Sequence, residues 1–335
     1  MTYVDVPAGV FCRFDLDRLC ITPELVGAKH EFVFDGVHFT LQLPAVVDRK
    51  DVPFDLRRLH LYKWQTKGNV PLEYEVHSLD LELALADSVR VPEEVLRLHP
   101  NQFALFAPHE QTELNKLVAE AGESLRTAFA YWLRVLRWKS GIGYIGEPSV
   151  RYAGGDGGGA VLRERTTKHR MWLQGGTIAV TGSQPVALEA WNATQAALSA
   201  CKSPPVWFEF LFDSQMRINN KDLVGGVLSL AIALEVNLRF IFSEDLMKAK
   251  LQPVVLEVFD LTNMRALLTR LKKIRQWDSN WAASTDLSTF HKLMDYRDGV
   301  MHRARTENLD EGELRKMHKA VKEFAYFTCE ALDLS

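Results

Sequence analysis

The hydrophobic residues of this chain keep two different periods, and the change between them near residue 105 limits the fold more than any other feature. In Tyr74–Leu85 (YEVHSLDLELAL), Val76, Leu79, Leu81 and Leu83 interleave with polar residues, the two-residue alternation of a half-buried strand. Leu59–Trp64 (LHLYKW) alternates in the same way. His30–Leu43 (HEFVFDGVHFTLQL) holds two short apolar runs joined by Asp35-Gly36. That dipeptide tolerates positive φ at both turn positions, so the segment predicts a hairpin with a type I′ turn. Several short strands with turn signals point to a β-rich domain over residues 1–105, built as a sandwich or barrel.

Beyond this point the helical period takes over. From His109 to Trp138, Leu114, Leu117, Val118, Leu125, Phe129, Leu133 and Leu136 recur at helical spacing, which predicts one long helix. Residues 140–176 carry GIGYIG, GGDGGG and the basic run RERTTKHR, and read as a loose loop. Long helix and loop together form an expected connector over residues 106–186. From residue 187 to 335 the pattern is helical almost throughout, with helices expected over 187–200, 204–217, 222–242, 244–274, 286–304 and 310–333. Pro253 breaks or kinks the fourth. Asp310 with Glu313 three residues on resembles a capping box at the start of the last. The expected class is therefore α+β, a β-rich N-terminal domain followed by an all-α bundle.

Composition excludes several functions. The net charge of −3 over 335 residues gives no overall polybasic character, so any nucleic-acid contact must come from local patches. Cys12, Cys20, Cys201 and Cys329 show no paired spacing, and predict neither a disulfide framework nor a zinc site. The first residues meet acids at once and show no basic segment followed by an apolar run. The most apolar stretch, residues 224–242, has nearly the length of a membrane span, but Glu235, Asn237 and Arg239 lie inside it and are costly in lipid. It predicts a buried core helix, and the protein is expected to be cytoplasmic with no membrane partner.

Familiar motifs fail on context. Gly141-Ile-Gly143-Tyr-Ile-Gly146 matches a dinucleotide-binding fingerprint in letters, but that fingerprint needs a strand before it and a helix after. GGDGGG lacks the Gly-Lys ending of a phosphate loop. The ten histidines show no HExxH and no zinc spacing. No metal and no cofactor is expected.

Asp286–Glu307 (DLSTFHKLMDYRDGVMHRARTE) is the most informative segment. Leu287, Phe290, Leu293, Met294, Val300 and Met301 mark the apolar seam of a helix. Arg297, Asp298 and His302 are set into it. Arginine offers a fixed fork of donors matched to phosphate oxygens, and imidazole exchanges protons near neutral pH. Cleaving RNA without a metal needs such a proton carrier and such a cation. Asp298 is placed to orient the arginine or the histidine. The bare spacing arises by chance, as Arg163 and His169 illustrate, so the acid after Arg297 and the helical surroundings carry the argument. Five residues apart on a straight helix, Arg297 and His302 point about 140° apart. Either Gly299 loosens the helix between them, or two copies of the chain combine their residues.

The YRDGVMHR pattern resembles the HEPN superfamily (higher eukaryotes and prokaryotes nucleotide-binding), whose signature is Arg, four to six intervening residues and His, commonly with Asn, Asp or His directly after the Arg. The preceding helix LVGGVLSLAIALEVNLRF, with Glu235 embedded, is similar to that family's, and the likeness covers roughly residues 187–335. It is nearest the Apea-type branch, whose members carry a β-rich N-terminal domain. The resemblance implies a metal-independent endoribonuclease leaving a 2′,3′-cyclic phosphate, with Arg297, His302 and Asp298 as catalytic residues. It further implies a homodimer through the helical domain with a composite cleft, and a conditional toxin of anti-phage defence or a toxin–antitoxin system. An inactive RNA- or nucleotide-binding module is the alternative, with Arg297 and His302 in an ion cluster with Asp295 or Asp298.

RNA is the expected partner. Arg303 and Arg305 follow the motif, and Met264–Arg275 holds Lys272, Lys273 and Arg275 among five basic residues with no acid; all five named are candidate phosphate contacts. Trp277, Trp281 and Tyr296 are candidates for stacking on bases. An activator or inhibitor is expected to act on the N-terminal domain or the 140–176 loop.

Overall fold

The structure is a computed structural model and describes residues 2–45, 61–67, 70–97, 108–143, 145–146, 151–152, 160–165, 170–173, 185–219, 221–248, 263–274, 285–303, 310–332 and 334. The chain divides into two compact units, Met1–Ser203 and Pro204–Ser335. The α+β class and the order of the expectation, β-rich first and helical after, are what the structure has.

The first unit is built on strands β1 (Tyr3–Val6), β2 (Ala8–Ile21), β3 (Lys29–Phe34), β4 (Val37–Gln42), β5 (Leu61–Lys67), β6 (Val70–Ala84), β7 (Val89–Pro92), β8 (Arg151–Tyr152), β9 (Ala160–Glu164), β10 (Arg170–Leu173) and β11 (Pro185–Val186). The main sheet runs β10-β9-β2-β6-β4-β3, with β8 and β11 added to β2 and β5 to β6, while β1 and β7 form a separate ribbon. Sandwich and barrel were both open from the sequence. Among the described residues the end strands β10 and β3 are not paired to each other, and helix α1 (Pro108–Ser140) packs against β2, β6 and β9.

The sequence explains these strands locally. Ala8, Val10, Cys12, Phe14 and Leu16 alternate along β2 and are all buried, and Phe14 stacks on Phe129 of α1 with centroids 3.8 Å apart. On the other side of β2, Arg13 stands opposite Asp80 in the β2–β6 register and grips it with two bonds of 2.9 and 3.1 Å. Val76 and Leu79 are three apart yet both buried, which a regular alternation forbids; the β2–β6 register shifts between Asp15 and Leu19, opposite this point. The hairpin forms as expected, with Asp35 at φ 50° and Gly36 at φ 75°, the two left-handed positions of a type I′ turn.

Two expectations about residues 106–186 are corrected. The long helix α1 is no connector: Val118, Leu125, Phe129, Trp132 and Leu136 are buried against the sheet, because an apolar face of this length needs a large partner surface. Part of the expected loose loop adds to the sheet as β9, antiparallel to β2, and β10, antiparallel to β9. GIGYIG follows α1 and folds back on it, where the Arg137 guanidinium donates to the Ile145 carbonyl at 2.8 and 2.6 Å. GGDGGG lies outside the described residues.

Helix α2 (Leu188–Ser199) also belongs to the first unit, so the helical unit begins at 204 and not at 187. It is held by His30 at the start of β3. The Trp132 indole N–H donates to His30 Nδ1 at 2.9 Å, and His30 Nε2 lies 3.0 Å from the Trp191 carbonyl. Indole is only a donor and a carbonyl only an acceptor, so His30 is the neutral tautomer with its proton on Nε2. Burial lowers its pKa to about 4. Next to it, Gln195 takes the Glu31 N–H on its oxygen (3.0 Å) and donates its amide to the Glu31 carbonyl (2.7 Å).

Among the described residues the second unit holds α3 (Trp207–Asn219), α4 (Leu223–Lys248), α5 (Met264–Ile274), α6 (Leu287–Arg303) and α7 (Glu311–Ala331). Among the described residues, Leu223–Glu244 is the one stretch long and apolar enough to cross a membrane. It is the core helix of the unit: Val227, Leu230, Leu234, Leu238 and Ile241 are buried and α3, α5, α6 and α7 all pack on it. Glu235 and Arg239 pair with each other at 2.8 Å, about a quarter exposed. The break expected at Pro253 lies outside the described residues. Half of the capping box forms, with Asp310 accepting from the Glu313 N–H at 2.7 Å, while the Glu313 carboxylate turns to α6.

Candidate functional site

Helix α6 is anchored by its first half. Asp286 caps it, accepting from the Thr289 N–H at 3.0 Å, and Phe290, Leu293 and Met294 are buried against α4 and α7. The apolar seam then leaves the core. Arg297 follows Met294 on the same stripe, Val300 is half-buried and Met301 is 55% exposed. The seam expected to run to Met301 therefore ends at Met294.

The helix is continuous from Leu287 to Arg303, so Gly299 does not loosen it. A Cβ at Gly299 would meet nothing within 4 Å. The pair on an unbroken helix keeps its divergence of about 140°, with Arg297 half-buried and His302 exposed. Asp298 serves the arginine: its Oδ1 accepts from Arg297 Nη1 at 3.2 Å. Among the described residues no hydrogen bond joins it to His302.

The other oxygen of Asp298 belongs to a residue that the sequence did not single out. Arg265 on α5 donates through Nη2 to Asp298 Oδ2 at 2.9 Å and to Asp295 Oδ1 at 2.7 Å. Burial pushes the Asp298 carboxyl up, but the bonds from Arg265 and Arg297 together outweigh it and hold the group below its ordinary range. No spacing rule links residue 265 to residue 298; only the packing of α5 on α6 joins them.

On the α7 side, Glu313 accepts from both Lys292 and Tyr296. The bond to Glu313 pushes the Tyr296 phenol up to about 12, so its hydroxyl is committed to this contact and keeps its proton near neutral pH. The proposed phosphate contacts divide: Lys272 and Lys273 fall on α5 and Arg303 ends α6, while Arg275 and Arg305 lie outside the described residues, as do Trp277 and Trp281. Among the described residues no group of three or more His, Cys, Asp or Glu is placed to hold a metal ion. No disulfide joins any of the four cysteines, all of which are described.

The site thus has a guanidinium, a carboxylate bonded to it and an exposed imidazole on the second half of one helix, in a unit whose described elements are all helices. Compared with protein-family models, with curated proteins and with solved structures, the chain matches none.

Proposed function

We propose that the chain is a metal-independent endoribonuclease of HEPN type that acts as a homodimer. The observation that carries this reading is the unbroken α6, which presents Arg297 with Asp298 and an exposed His302 beyond the packed core. One helix cannot aim both residues at one phosphate, so a second copy supplies the complement, and a two-fold pairing is the commonest way to arrange it. An imidazole takes the ribose 2′-hydroxyl proton and the 2′-oxygen attacks the adjacent phosphorus. The bond to the 5′-oxygen breaks, a second imidazole protonates that oxygen, and the products are a 2′,3′-cyclic phosphate and a 5′-hydroxyl. Arg297 offsets the added phosphoryl charge of the transition state. The setting proposed is the cytoplasm, as a conditional toxin of defence or toxin–antitoxin type.

Purified protein incubated with total RNA and EDTA is expected to leave 2′,3′-cyclic phosphate ends. Arg297→Ala and His302→Ala are each expected to abolish cleavage and any growth toxicity. Cleavage retained in His302→Ala removes that residue from the mechanism.

The ion cluster of Arg265, Asp295, Asp298 and Arg297 favours a second reading, a non-catalytic RNA- or nucleotide-binding module. It predicts no cleavage, with the same substitutions weakening dimerisation or stability instead.

A further inference from the structure

Neighbouring residues on a helix point about 100° apart and do not face one another. The bond between Arg297 and Asp298 is therefore not one that α6 supplies by itself. Asp298 and His302 are four positions apart, which puts those two only about 40° apart around the helix, so the helix by itself directs the carboxylate toward the histidine. What the structure shows is the opposite choice. Arg265 holds Oδ2 of Asp298 from α5 (2.9 Å), and Oδ1 is left toward Arg297 (3.2 Å).

Arg265 can do this because its own root is fixed. The Asn263 side chain caps α5, accepting from the Ala266 N–H at 2.9 Å, and Met264, Leu267 and Leu268 are buried on either side of it. Its guanidinium is steadied a second time by Asp295 at 2.7 Å. Arg297, by contrast, is a long side chain at the point where the seam leaves the core, with four torsions to fix. A planar fork held by a carboxylate loses less freedom on meeting a phosphate than one that must first be ordered.

We propose that Arg265 is a positioning residue: by holding Asp298 it aims the Arg297 guanidinium, and Arg265, Asp298 and Arg297 work as one unit. The kinetic part of this rests on the ribonuclease reading; the structural part does not. Arg265 touches no reacting atom and acts only through Asp298.

The experiment uses the full-length chain with its arginine side chains labelled with 15N, the Arg297 signals being identified by their loss in Arg297→Lys. In the wild type the Arg297 guanidinium is expected to show the hindered rotation of a bonded fork. In Arg265→Ala and in Asp298→Asn it is expected to average like a free arginine. Arg265→Lys keeps the charge without the fork, and is expected to restore the hindrance in part. Because the Arg265 guanidinium is half exposed, its removal leaves the thermal melt nearly unchanged. Unaltered Arg297 signals in Arg265→Ala overturn the proposal.

In RNA cleavage, Arg265→Ala is expected to lower kcat by about 10- to 100-fold with KM little changed, the signature of a misplaced transition-state contact. The Arg265→Ala/Asp298→Asn double variant is expected to be no worse than the poorer single one. Additive losses in the double variant also overturn the proposal. If the wild type cleaves no RNA, the ribonuclease reading falls, and the Arg297 signals still decide the positioning claim.

Discussion

His30 in the first unit has a partner on each ring nitrogen and no exposed surface, while His302 in the second stands on the outside of α6 without a described hydrogen bond. The same side chain is used for opposite ends. Around His30 the polar groups are spent on holding α1, α2 and β3 together, and the ring lies stacked on Trp191 with centroids 3.7 Å apart. Around His302 the helix has left its core, and the groups nearby point outward or hold one another at half-exposed positions. The second unit has its own buried histidine, His318 on α7, whose Nε2 lies 3.1 Å from the Leu211 carbonyl of α3. A buried imidazole tied to a helix carbonyl is thus a structural use found in both units, and the exposed His302 is the ring that the proposed ribonuclease reading gives to chemistry.

The largest effect that tests this contrast is on stability. Trp132→Ala removes a fully buried indole and the donor to His30, and is expected to cost about 3–5 kcal/mol in denaturant unfolding. His302→Ala, measured the same way, is expected to change stability by less than about 0.5 kcal/mol. Comparable losses in the two would erase the distinction.

Acid gives the next effect. Burial lowers the pKa values of both His30 and His318 to about 4, from an ordinary 6.5. Folding therefore favours the neutral rings, and their contribution is complete above pH 6.5. It is lost as pH falls from 6.5 toward 4, because only the unfolded chain then takes up the protons, and it changes no further below that. Each ring contributes up to about 3 kcal/mol over this window. Urea unfolding at successive pH values is expected to show a shallower acid slope in His30→Gln and in His318→Gln.

Smallest is Gly299→Ala. With open space around the added methyl in a helix interior, a gain of about 0.5–1 kcal/mol is expected in thermal or denaturant unfolding of the single chain. A loss instead, appearing only at concentrations where the protein is dimeric, would place a second copy against this turn of α6.

What could be read beforehand was what local rules decide. Asp35-Gly36 fixed its turn because few other residues accept two positive φ values in a row, and Asp310 capped its helix because the bond spans only three residues. Arg297, Asp298 and His302 were legible as a group for the same reason, since one helix carries all three. The role of α1 was not legible: periodicity shows that a helix has a face to bury, and not that a sheet will bury it. Strands β9 and β10 were missed because their residues lack a strong alternation, and β2, some 150 residues earlier, supplies the pairing. Arg265 was one basic residue among five in its segment, and only the approach of α5 to α6 sets it apart.

Gln195 has a further consequence. Its side-chain amide meets the N–H and carbonyl of Glu31 as the peptide group of an added strand would, on β3 at the end of the main sheet. An open strand edge is a template on which other chains can grow. Here the Gln195 side chain imitates one link of the next strand, the Cys201 thiol reaches the Val33 carbonyl two residues on at 3.9 Å, and the helix that carries Gln195 offers no backbone to continue the pairing. The sheet is ended by a counterfeit of its own continuation, and the first unit can carry many strands without inviting another molecule to add one at that side.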